Sequence, residues 1–120
     1  MESICRLKDI YKALYAYEKQ FAESAGITIN EGALLCCMKD GQPKSANELA
    51  DFIGLSGSRV SRIIHAMEDK GFISREIGVL DKRQMIFTLT DAGNKKIIEM
   101  QGFNIDVHSL MGKLKTIAEE

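Results

Sequence analysis

The run from Ser56 to Arg75 constrains this chain most, because its part before Gly71 can fold only as a helix with one side turned inward. Val60, Ile63, Ile64 and Met67 recur at the i, i+3, i+4, i+7 spacing of a single helical face. Ser58, Arg59, Ser61, Arg62 and His65 fall on the opposite side, so the exposed first half is hydroxylic and basic. Ser56 stands where an N-cap belongs, and Gly71 stands where a left-handed residue would end the helix. The acids Glu68 and Asp69 come only in the last turn, the reverse of what the helix dipole favours. An anion in front of the N-terminal half accounts for that order, since amides, hydroxyls and arginines would all point at it. A solvated helix face carrying two arginines accounts for it as well.

The flanking segments narrow the choice. Ser45-Ala46-Asn47-Glu48 has the form of a capping box and opens a short helix whose expected inward residues are Leu49, Ala50, Phe52 and Ile53. Gly54-Leu55-Ser56 then turns the chain into the stretch above, giving two short helices in a helix-turn-helix arrangement. Residues 72–76 and 84–89 read as strands, with a hairpin tip near Asp81, Lys82 and Arg83. A hairpin directly after a helix-turn-helix makes a winged helix. Arg83 would suit a narrow minor groove, where negative potential is enhanced. A solvated tip with a local Asp81–Arg83 ion pair, which would also orient the arginine, is compatible with that role.

Around this centre the chain is helical. Ile4, Leu7, Ile10, Tyr11, Leu14, Tyr17 and Phe21 mark a first helix over residues 3–24, ending near Gly26, with three tyrosines that call for a packing partner. Thr28-Ile29-Asn30-Glu31 forms a second capping-box pattern, and Ala33 to Met38 should be a central buried helix, apolar on every side, stopped by Gly41 and Pro43. Thr90 caps a further helix with Ile97, Ile98 and Met100 on its apolar side. After a break at Gly102 and Asn104, Ile105, Val107, Leu110, Met111, Leu114 and Ile117 support a last one. This is more apolar surface than one small core consumes, and the terminal helices read as an association surface.

Charge and thiols bound the function. The formal net charge is −1, yet Ser56 to Met85 holds six basic residues against four acids. A polyanion would therefore meet one face only. No stretch approaches a membrane span, the N-terminus lacks a secretory pattern, and the three cysteines form no disulfide framework, so a cytoplasmic protein with reduced thiols and no membrane partner is expected. Cys36 and Cys37 read as small core residues. No phosphate-binding glycine loop, paired carboxylates or oriented nucleophile is present, so no enzyme, cofactor or metal site is expected.

With these residues in place, the chain resembles the MarR family of bacterial winged helix-turn-helix transcription regulators. Glu48-Leu49-Ala50 is similar to the family's Glu-Leu-Ala helix. Lys70-Gly71-Phe72-Ile73-Ser74-Arg75 is similar to its entry into the wing, and Asp81-Lys82-Arg83 with Thr88-Leu89-Thr90-Asp91-Ala92-Gly93 to its Asp-x-Arg wing and Leu-Thr-x-x-Gly exit. The resemblance implies a mainly α fold with a small β-hairpin wing in a single domain, 1–120. Residues 28–90 would bind DNA, and 1–25 with 91–120 would form a helical dimerisation region. It implies DNA contacts from Ser45, Ser58, Arg59, Ser61, Arg62, His65, Lys82 and Arg83, with Asp81 stabilising the wing. A homodimer joined through Ile4, Leu7, Tyr11, Leu14, Leu110, Leu114 and Ile117 would read a pseudo-palindromic operator on double-stranded DNA, acting as a repressor that a small-molecule effector or an oxidant releases. About thirty residues follow the wing, fewer than the family's usual long C-terminal helix pair, which implies a reduced or differently built dimer interface. Cys5, in a tyrosine-bearing segment, is the candidate redox residue against a spectator thiol. A winged helix that binds protein rather than DNA is the competing reading, because a fold does not fix a function.

Overall fold

The computed structural model describes residues 1–78, 83–102 and 107–119. Among the described residues, six helices and three short strands follow in chain order: α1 Glu2–Ala25, α2 Ile29–Cys37, β1 Lys44–Ser45, α3 Ala46–Ile53, α4 Gly57–Asp69, β2 Ile73–Ile77, β3 Met85–Leu89, α5 Asp91–Gln101 and α6 Val107–Glu119. They gather into two compact units, Met1–Ile29 with Phe103–Glu120 and Asn30–Gly102.

The 30–102 unit is a winged helix. Its core is Leu34, Leu35 and Met38 from the α2 segment, Leu49 from α3, Val60, Ile64 and Met67 from α4, and Ile73 and Phe87 from the sheet, all buried. The sheet is antiparallel in the order β1-β3-β2. Ile73 stands opposite Leu89, Arg75 opposite Phe87 and Ile77 opposite Met85, so these six side chains share the sheet face that turns toward the helices. Ser74 and Thr88 pair on the other face through a 2.9 Å hydroxyl contact. β2 lies one residue further on than the alternation suggests, while β3 begins one residue later and ends where expected, at Leu89. β1 was not foreseen, because two residues carry no period.

The capping pattern at Ser45 is realised in full: its hydroxyl accepts from the Glu48 amide, and the Glu48 carboxylate accepts from the Ser45 amide, both at 3.2 Å. Gly54, with φ 79°, ends α3 in a left-handed conformation that makes the tight turn into α4. Two burial expectations are corrected. Helix α2 is one-sided, with Leu34 and Leu35 inward, Cys36 exposed and Cys37 half-buried, so Cys36 is no core residue. Phe52 is also exposed, because Leu49 alone supplies the buried contact of α3.

The other unit pairs α1 with α6. Helix α1 ends at Gly26 as its sequence suggests. Ile4, Leu7, Tyr11 and Tyr15 on α1, and Val107 and Met111 on α6, are each more than half exposed, while Leu14, Leu110, Leu114 and Ile117 are half-buried. Among the described residues no helix is long and apolar enough to cross a membrane.

Candidate nucleic-acid interface

Helix α4 is built to show one face. Its start is fixed by Ser56, whose hydroxyl accepts from the Arg59 amide at 3.4 Å and lies 3.3 Å from the Ser58 hydroxyl. No acid occupies its first turn. With Val60, Ile64 and Met67 anchored in the core, Ser58, Arg59, Ser61, Arg62 and His65 are all exposed, as the periodicity requires. The amide dipoles of the first turn, three hydroxyls and two guanidinium groups thus crowd the N-terminal half of one short helix, an arrangement that favours a bound anion.

The C-terminal half is tied down by two ion pairs that the sequence reading missed. Arg75 of β2 grips Glu68 with both arms of its fork, Nη2 donating to Oε1 at 2.8 Å and Nε to Oε2 at 3.2 Å. The same guanidinium lies 5.5 Å from the centroid of the Phe87 ring across the sheet. The Glu68 hydrogen bond holds the Arg75 pKa above its ordinary value. His65 Nδ1 stands 3.9 Å from the Glu68 carboxylate. One turn further on, Lys70 donates to both oxygens of the buried Glu31 at 3.0 Å, joining the end of α4 to the start of α2. The first pair had a legible signal, since strand alternation puts Arg75 on the inward face with Ile73, where an arginine needs a counter-ion. The second joins residues thirty-nine apart and had none.

The hairpin extends past its ladder through the Gly78 amide, which donates to the Gln84 carbonyl at 2.7 Å. Arg83 follows, exposed. Asp81 and Lys82 lie outside the described residues. Ser45 is buried and committed to its cap, so its hydroxyl serves α3 rather than an open surface. A crevice of about 240 Å³ runs between α3, α4 and the sheet, with Asn47, Ser61, Arg75, Met85 and Phe87 among its lining residues.

Behind the wing, α5 is locked to the turn that ends α4. The Thr90 amide donates to the Phe72 carbonyl at 3.1 Å, and the Thr90 hydroxyl donates to the Gly71 carbonyl at 2.6 Å while accepting from the Gly93 amide. The three cysteines are free thiols: Cys5 and Cys36 are exposed, and burial pushes the Cys37 thiol up from its ordinary value.

A family model described as the MarR family matches residues 27–85, the segment from the end of α1 to the start of β3. Over that segment the chain is similar to the MarR family. Among curated relatives, the HTH-type transcriptional regulator YdcH of Bacillus subtilis is 33% identical over 57 residues, covering 48% of this chain and 39% of the relative. YwoH, another HTH-type transcriptional regulator of B. subtilis, is 27% identical over 78 residues, covering 65% and 56%. The chain thus spans about two fifths and rather more than half of the lengths of these relatives. Among solved structures, a mutant MarR from E. coli complexed with operator DNA superposes with a TM-score of 0.77 at 19% identity, over 96% of this chain and 83% of that one. The mainly helical fold with a small antiparallel wing is the MarR-type winged helix.

Proposed function

We propose that this chain is a non-enzymatic, cytoplasmic transcription regulator that reads double-stranded DNA with α4 and its wing. The observation that carries the reading is the exposed cluster of Ser58, Arg59, Ser61, Arg62 and His65 on a helix whose opposite side is sealed in the core. The kinship with helix-turn-helix regulators and the operator complex of E. coli MarR support the same assignment. In this reading the first turn of α4 enters the major groove. Arg59 and Arg62 reach base edges there, each good bidentate pair discriminating by about 1–3 kcal/mol. Arg83 approaches the minor groove from the wing.

The regulator acts as a homodimer. The exposed stripe of Ile4, Leu7, Tyr11 and Tyr15 on α1 supports pairing of terminal helices, in which Leu14, Leu110, Leu114 and Ile117 take part. Two copies would set their recognition helices about 34 Å apart, one turn of duplex, and read a pseudo-palindromic operator. Bound there the protein blocks transcription, and a small effector or oxidation releases it. The crevice beside α4 supports the first route, and the exposure of Cys5 supports the second.

Selection of bound sequences from a random duplex pool tests the reading. A consensus with two-fold symmetry and half-sites one helical turn apart is expected. Recovery of no enriched sequence, together with no binding to any duplex at low salt, would leave a protein-binding winged helix instead.

A further inference from the structure

The Glu68–Arg75 pair does more than close the end of α4. Glu68 sits one turn beyond His65 and two beyond Ser61, on the edge of the face that presents the basic cluster. An unpaired carboxylate there would confront a phosphate backbone. Instead both of its oxygens are taken by Arg75. That arginine is itself confined between the carboxylate and the Phe87 ring, and Phe87 is buried. The contact therefore joins three elements at one point: the C-terminal half of α4, the first strand of the wing and the second. A planar fork bound at both arms and stacked on a ring has one orientation, which a lysine at the same place would lack.

We infer that Glu68 and Arg75 are positioning residues for sequence discrimination, a strut that fixes the angle between the recognition helix and the wing while cancelling the acid at the edge of the reading face. The inference rests on the DNA-binding reading. It assigns the pair a role distinct from general affinity, because neither side chain is needed for the phosphate attraction that Arg59, Arg62 and Arg83 supply. Removing the carboxylate frees the wing to rock against α4, so base contacts on the two elements no longer register together. Non-specific attraction to the duplex is kept or raised, since one negative charge is gone.

The test compares affinity for a duplex selected from a random pool with affinity for a scrambled duplex, for the full chain and its variants. Glu68→Gln should lower the ratio of the two affinities about tenfold, mainly through the selected duplex, with the scrambled one bound as well as before. Arg75→Gln should lower both affinities, because it exposes the carboxylate as well as releasing the wing. The exchange Glu68→Arg with Arg75→Glu should recover most of the ratio, a rescue that loss of fold cannot produce. Melting temperatures within about 5 °C of the parent show that the domain is intact. Ratios that stay at the parent value in both single variants, or an exchange variant no better than either, would overturn the role of the pair. A parent chain that binds no duplex at all would instead defeat the DNA-binding reading, and this inference with it.

Discussion

Single residues in this domain are held by contacts that leave little room for substitution. A side chain at Gly93 would run into the Phe72 backbone carbonyl, which already accepts from the Thr90 amide. Gly93→Ala should therefore destabilise the fold by about 1–3 kcal/mol, since backbone rather than a flexible side chain must give way. A thermal melt unchanged from the parent would refute that close approach. Lys70→Met leaves the carboxylate of Glu31, 7% exposed, without its ammonium partner and should cost about 1–3 kcal/mol in a denaturant titration. Asp40 behaves differently because it is exposed. Its carboxylate accepts from the Gln42 amide at 2.9 Å and from Lys44 Nζ at 3.0 Å, and these two bonds, the amide first, hold its pKa below the ordinary aspartate value. A depressed folded-state pKa means that the stabilisation is present above the ordinary carboxylate range and is lost as pH falls through the folded value. Lys44 is held up by the same bond, so its share is lost only as pH rises through the lysine range. An NMR titration should place the Asp40 midpoint below that of an unstructured aspartate, and a midpoint at or above it would contradict the turn.

At the scale of elements, periodicity and caps carried most of the information. The stripe of Val60, Ile64 and Met67 fixed which side of α4 is buried, and with it which side is offered. Ser45 and Glu48 marked the start of α3, and Thr90 that of α5, because a capping hydroxyl announces itself locally. What escaped was set by distant partners. β1 exists only because Lys44 and Ser45 pair with Phe87 and Ile86. The exposure of Cys36 and Phe52 follows from how few residues of α2 and α3 meet the core, which an all-apolar run cannot reveal. Ser45, expected among the DNA contacts, is buried with its hydroxyl engaged in the α3 cap. The wing tests its own part: Arg83→Ala should weaken binding to a selected duplex severalfold while leaving the melt unchanged. An unaltered gel-shift titration would remove the wing from the reading of DNA.

The whole molecule carries a winged helix in one unit and exposed apolar side chains on the terminal helices of the other. Introducing charge into the exposed stripe, Leu7→Glu with Tyr11→Glu, should lower the mass seen by sedimentation from dimer to monomer and weaken binding to a two-fold site far more than to a single half-site. A parent chain that sediments as a monomer would refute that assembly while leaving the reading head intact. The claim beneath all of this is that the basic, hydroxylic side of α4 lies against duplex DNA, and the salt dependence of binding tests it most directly. Titration of the parent chain against a selected duplex over a range of salt should give a steep negative slope of log affinity against log salt, and Arg59→Ala and Arg62→Ala should each lose affinity, with a shallower slope wherever the lost contact is to phosphate. Binding that is absent at low salt, or that is indifferent to both salt and these two arginines, would contradict it.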